Sequence, residues 1–273
     1  MPTSSPRQCR LALAALAMCS FAGVACSSSS SSSDDAASAV MDTTRYKAEG
    51  DEGLGVSVVI VLDNSGSMGE KAEGDKRDKA VVARQAIEQT LTATDVALAK
   101  RPDFPIKVGI VLFSDAAAVL LPVQPYDRDS VRAALGRVPE PRGGTAIGDA
   151  MDAAREDLYR AGTFRKVMLV VTDGENTNGR KPADMAREIA QRSDGGVRMY
   201  FIAFDTDAEK FGFVRDVKGD VVTAQNSASL QTSLSSLYES KVLAESATEP
   251  DASVGARAPA DTAPPVPSPS AAH

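Results

Sequence analysis

The chain has 273 residues, 43% hydrophobic and 25% charged, a balance that excludes an unfolded chain and supplies the apolar residues for one or two packed domains. All three cysteines (Cys9, Cys19, Cys26) lie in the first tenth and the single histidine, His273, is the last residue, which argues against a disulfide framework, a Cys- or His-ligated zinc site and histidine-based acid–base catalysis. The formal charge of −7 argues against a nucleic-acid surface.

In chain order, Arg7 and Arg10 precede an apolar run, Leu11–Val24 (LALAALAMCSFAGV), that closes on small residues, as a secretory signal does. Its 14 residues fall short of the ~20 that a membrane-spanning helix needs. The run leads into Gly23-Val24-Ala25-Cys26 and then Ser27 to Ser33, and so resembles a bacterial lipoprotein signal, in which the cysteine becomes the lipidated first residue of the mature protein. That family usually has Leu three positions before the cysteine, where Gly23 stands. Cys19 has Leu16 at that position but the bulky Met18 directly before it, which favours Cys26. The resemblance implies anchoring to a membrane of the bacterial cell envelope through an N-terminal lipid, and the serine after Cys26 points to the outer membrane. An ordinary cleaved signal would leave the protein unlipidated.

Residues 27–52, rich in Ser, Ala and Asp, lack the apolar side chains that offset the entropy of ordering, so a solvated linker is expected, at most about 85 Å long at ~3.3 Å per residue. Residues 244–273 end in APADTAPPVPSPSAAH and read as a disordered Pro/Ala-rich tail. The folded unit is therefore placed at 53–243, a size suited to one domain. The linker has six acidic and two basic residues and the tail four and one, whereas the domain is close to neutral with 27 acidic and 25 basic.

Within the domain, Val56–Leu62, Ile106–Phe113, Lys166–Thr172 and Val197–Phe204 are short, almost continuously apolar and β-branched, the pattern of strands buried on both faces. Helical spacing separates them: Ala80, Ala83, Ile87 and Leu91; Ile147, Met151, Ala154 and Leu158; Met185 and Ile189 behind Pro182; then Leu230, Leu234 and Leu237. Alternation of this kind predicts right-handed crossovers and an α/β fold, a doubly wound, Rossmann-like, mostly parallel sheet with helices on both faces. Ala117–Val123 follows the second strand too closely for a crossover and is expected as one short antiparallel strand.

Ligands of open α/β sheets bind beyond the carboxyl ends of the strands, where the strand order reverses. Three oxygen-rich loops fall at such ends: Asp63-Asn64-Ser65-Gly66-Ser67-Met68, Gly143-Gly144-Thr145 and Asp173-Gly174-Glu175-Asn176. Asp63, Ser65 and Ser67 alternate in a loop that turns at Gly66, and Thr145 and Asp173 add a hydroxyl and a carboxylate. Five hard oxygen donors suit Mg²⁺ (or Mn²⁺ or Ca²⁺) and leave a coordination position for an outside carboxylate. Taken singly, each loop also reads as a turn or a helix cap. Glu175, Asn176 and Asp115 lie at the same edge and are expected as solvated loop residues, and Met68 and Met151 as packing.

DNSGSM, the GGT turn and TDG together resemble the metal-ion-dependent adhesion site of the von Willebrand factor type A (vWA) domain family, over essentially all of 53–243. Asp63, Ser65 and Ser67 match its D-x-S-x-S motif, Thr145 its threonine and Asp173 its second aspartate. The resemblance implies a non-catalytic, cation-dependent module whose metal is completed by an Asp or Glu of a protein partner, and whose last helix, here around Leu230 to Leu243, moves in some relatives. An enzyme of haloacid dehalogenase type with Asp63 as nucleophile is a competing reading, but Ser65 stands where that family has its acid. A metal-chelatase subunit is another; no G-x-x-x-x-G-K motif accompanies it, and the export signal separates it from a cytoplasmic ATPase.

Overall fold

A computed structural model describes residues 44–49 and 52–244. The expected signal with Cys26, the linker up to residue 43 and the tail beyond Ala244 lie outside the described residues.

Six strands form one sheet in the order β3-β2-β1-β4-β5-β6. They are β1 (Gly53–Asp63), β2 (Ile106–Phe113), β3 (Ala117–Pro125), β4 (Thr163–Thr172), β5 (Val197–Phe204) and β6 (Asp220–Ala224). All pairings are parallel except β2 with β3, the expected hairpin. The alternation of side chains along β1 divides the core. Val56, Val58, Ile60 and Leu62 face α1 (Lys79–Lys100), α2 (Arg128–Leu135) and α6 (Ser227–Leu237) in one cluster. Val59 and Val61 join the buried residues of α3 (Ile147–Arg160), α4 (Pro182–Arg192) and the single turn α5 (Phe213–Asp216) in the other. Helices thus cover both faces, as the alternating sequence predicts. A π-helical turn, Tyr238–Leu243, prolongs α6. No helix among the described residues is long and apolar enough to cross a membrane.

Helix α2, strand β6 and the single turn α5 have no counterpart in the sequence reading. Helix α2 is eight residues with three buried positions, Val131, Ala134 and Leu135, and is started by Asp127, whose side chain accepts from the Ser130 N–H at 2.8 Å. β6 is a five-residue edge strand in which only Ala224 is buried.

The linker expected over 27–52 requires a correction at its C-terminal end, because residues 44–49 lie against the domain. Tyr46 donates its N–H to the Arg192 carbonyl (3.0 Å) and its hydroxyl to Glu188 (3.0 Å). Its ring takes the guanidinium groups of Arg192 and Arg155 at 4.1 and 4.5 Å from its centroid. One aromatic side chain with a polar tip, meeting two cations and a carboxylate, anchors a segment whose composition is otherwise that of a linker.

Candidate metal centre

The strand order reverses about β1: its successor β2 lies on one side and β4 on the other. Loops leaving the carboxyl ends of β1 and β4 therefore diverge from a common crevice, and both predicted aspartates are there. Asp63 is the last residue of β1, and Asp173 follows the last residue of β4.

Asp63 is 0% exposed. Its Oδ1 accepts the Ser65 N–H (2.7 Å) and its Oδ2 the Thr172 hydroxyl (2.6 Å). Burial pushes its pKa from 3.8 up to about 6, against the pull of the Ser65 and Thr172 donors and with a further push from Asp173. From this base the hydroxyls form a relay: Ser65 Oγ lies 3.2 Å from Ser67 Oγ, and Ser67 Oγ donates to Asp173 Oδ1 at 2.7 Å.

The second loop is stitched onto the first, with Gly66 donating its N–H to the Gly143 carbonyl (3.0 Å) and Arg142 its N–H to the Asn64 carbonyl (3.0 Å). Gly143 has φ +76, and a Cβ there would lie 2.2 Å from Asp115 Oδ2, so the turn admits only glycine. Thr145 is fixed through its backbone, its N–H on Thr177 Oγ1 (2.8 Å) and its carbonyl accepting from the Thr177 N–H (2.9 Å). A Cβ on Gly174 would stand 3.9 Å from both Ser67 Oγ and Thr145 Oγ1, so Thr145 and Ser67 flank one small space that glycine keeps open. All five sequence-predicted residues line this crevice.

Two loop residues expected to be merely solvated hold it together. Asp115 Oδ1 accepts from the Gly144 N–H (2.7 Å) and Asn178 Nδ2 (3.0 Å). Asn176 Oδ1 accepts the N–H groups of Ile147 (2.8 Å) and Gly148 (3.3 Å), capping α3, whose own N-cap residue, Ala146, offers no side-chain acceptor. Glu175 is exposed, 3.4 Å from Lys210 Nζ. Met68 and Met151 are buried in the two cores.

The sequence reading missed Lys79 and Asp205. Lys79 Nζ, at the start of α1, lies 3.1 Å from Asp173 Oδ2, 3.0 Å from Asp205 Oδ2 and 3.6 Å from Glu70 Oε2. Burial alone would lower its pKa, but Asp205 and Asp173 outweigh it and raise it, so the ammonium stays charged. Asp205 directly follows β5 and carries the signal that flagged Asp63 and Asp173, an acid closing an apolar strand. Lys79 had none, being one more charged residue near a helix start.

A family model for the von Willebrand factor type A domain matches residues 57–235. The chain belongs to this family. No curated protein matches it in sequence. Among solved structures, the vWA domain is similar to BatB, a conserved hypothetical protein from Bacteroides thetaiotaomicron: 23% identity, 71% of this chain and 99% of that one, TM-score 0.55. An aerotolerance-related membrane protein from Bacteroides fragilis shares 22% identity over 67% of this chain and 98% of its own, TM-score 0.51. The pilus adhesin SpaC from Lactobacillus rhamnosus GG shares 13% identity over 72% of this chain and 31% of its own, TM-score 0.54. At these identities the likeness is one of fold.

No cluster of three His, Cys, Asp or Glu side chains able to hold a metal occurs among the described residues of the vWA domain. A cation here would depend on the serine and threonine hydroxyls beside Asp63 and Asp173. Those hydroxyls, with two carboxylates and an open space at Gly174, fit a small hard dication and offer nothing to a soft one.

Proposed function

We propose that this vWA domain is a non-catalytic binding module that takes hold of a protein partner through a divalent cation. Asp63, Ser65, Ser67, Thr145 and Asp173 hold the cation, Mg²⁺ or alternatively Mn²⁺ or Ca²⁺, and an Asp or Glu carboxylate of the partner completes it. The dication supplies a Lewis-acidic position for that carboxylate, while the chain's own residues fix the donor geometry and keep much of it from water. Nucleic acid has no part in this reading. The observation that carries it is the relay from Ser65 Oγ through Ser67 Oγ to Asp173 Oδ1 above the buried Asp63. Asp63 as a phosphatase nucleophile is the weaker reading, since Ser65, whose hydroxyl lies 3.2 Å from that of Ser67, stands where such an enzyme places its acid.

The deciding experiment is thermal unfolding in EDTA and in excess Mg²⁺ or Mn²⁺. Wild type should melt higher with metal, and Asp63→Ala and Ser65→Ala should lose that gain; equal responses in wild type and variants would remove the metal assignment. Capture of envelope proteins that depends on both metal and Asp63 would then identify the partner.

The reading places the chain at the bacterial cell envelope, lipid-anchored at Cys26 on the outer membrane. Cys26→Ser should move the protein from the membrane fraction to the soluble one, and unchanged fractionation would refute anchoring there.

A further inference from the structure

A site for a dication has no evident use for a permanent cation beside it, yet Lys79 provides one. Lys79 is the first residue of α1, and its N–H is fixed on the Glu70 carbonyl at 2.8 Å, so the side chain starts from a rigid position. That side chain is 7% exposed. Its ammonium joins the ends of two adjacent parallel strands, meeting Asp173 after β4 and Asp205 after β5. Asp173 is shared: Oδ2 faces Lys79 at 3.1 Å while Oδ1 accepts the Ser67 hydroxyl at 2.7 Å. Asp205 adopts φ +53 with its N–H on the Ala224 carbonyl at 2.7 Å, and so is itself held in place.

We propose that Lys79 is a positioning residue that sets the metal affinity of the site: its ammonium stands in as the counter-charge of Asp173 when no metal is bound, and opposes the dication when one arrives. The inference rests on the metal reading above and adds a regulator to it. Without a cation, Asp173 would be a nearly buried carboxylate beside the buried Asp63, and the repulsion between two like charges with little water around them favours local opening. Lys79 offsets that repulsion and leaves Asp173 Oδ1 to accept the Ser67 hydroxyl. The same charge, 3.1 Å from a carboxylate that would hold the dication, would then oppose it in a partly desolvated crevice, where repulsion is weakly screened. It also draws on the electron pairs of Asp173, making that carboxylate a poorer acceptor for a metal or its bound water.

In the purified full chain, the sign of the effect at Lys79 separates this role from a merely structural one, and Asp205 supplies the companion variant. Mg²⁺ titration calorimetry should show Lys79→Met binding at least about ten-fold tighter than wild type, because one opposing charge is gone. Its melting temperature in EDTA should fall and recover with Mg²⁺. Asp205→Asn, which keeps side-chain volume and removes an anion from the cluster, should bind several-fold weaker. A purely structural Lys79 predicts weaker binding in both variants, so unchanged or weaker binding by Lys79→Met overturns the proposal. If that variant does not fold in EDTA, the titration is made with Lys79→Gln, whose amide can still donate to Asp173 without the charge, and unchanged or weaker binding there likewise overturns the proposal. Absence of Mg²⁺ binding by wild type would refute the metal reading and this inference together, whereas wild-type binding without tightening in Lys79→Met would refute this inference alone.

Discussion

Asp63 concentrates the electrostatic cost of the site in one side chain. It is fully buried, its two donors are neutral, and its pKa is pushed up to about 6 by burial. A carboxyl that ionises at 3.8 in the unfolded chain and near 6 in the folded one binds more protons folded than unfolded between those values, so raising the pH through that window destabilises the fold. Asp63→Asn abolishes the effect while keeping the shape, since its carbonyl can accept from the Ser65 N–H and its amide can face a rotated Thr172 hydroxyl. In EDTA, chemical denaturation of the two proteins should therefore diverge as pH rises from about 4 to 6 and stay parallel above. The variant should end about 3 kcal/mol the more stable at neutral pH, yet show no response to Mg²⁺. A constant difference across the window would show that Asp63 titrates normally. A buried anion that weakens the fold is the residue-scale signature of a group that serves something other than stability.

At the level of elements, legibility followed burial. β1, β2, β4 and β5 are hidden on both faces over most of their length and announce themselves as almost continuously apolar runs, while α1, α3, α4 and α6 show helical spacing over several turns. Helix α2 exposes most of its two turns and β6 buries one residue in five, so neither carries a period long enough to read. The five candidate ligands could be singled out because they sit in the short loops that leave β1 and β4 or lead into α3; Lys79 and Asp115 act across the fold, at separations no local pattern encodes. The edge hairpin shows the same dependence. Asp157, buried within α3, accepts the β3 backbone N–H of Val123 at 2.8 Å and pairs with Arg160 at 3.1 Å, and so ties the antiparallel strand to the helix beneath it. Burial raises its pKa against the pull of Val123 and Arg160. Asp157→Ala should cost about 1–3 kcal/mol, the usual range for stranding a buried donor. Hydrogen exchange should quicken at Val123 and its β3 neighbours and leave β1 unchanged; uniform quickening across the sheet would mean that Asp157 supports the whole fold rather than its edge.

Across the whole molecule, α3 separates two ends with different tasks. Its N-terminus adjoins Thr145 and the crevice, and its last turns carry Tyr159 beside Tyr46, ring centroids 5.3 Å apart, where the chain enters the domain. Fourteen helical residues put roughly 21 Å between them at ~1.5 Å per residue. The candidate crevice and the point where the chain enters the domain thus lie at opposite ends of α3. The entry end is also secured beyond Tyr46: Lys166 pairs with Glu52 and donates to the Thr163 carbonyl at 2.7 Å, and Arg45 lies 3.0 Å from Asp194. The exposed Arg45 pair adds little, so Tyr46 is the principal anchor, with two cation–π contacts and two hydrogen bonds. Tyr46→Ala should lower stability by about 2 kcal/mol, read from the denaturant midpoint at unchanged slope, and should increase proteolysis before Gly53. Because the anchor and the crevice share no residue, the rise in melting temperature given by Mg²⁺ should be the same in wild type and Tyr46→Ala. A smaller rise in the variant would mean instead that α3 couples the two ends, and that tension on the tether reaches the site.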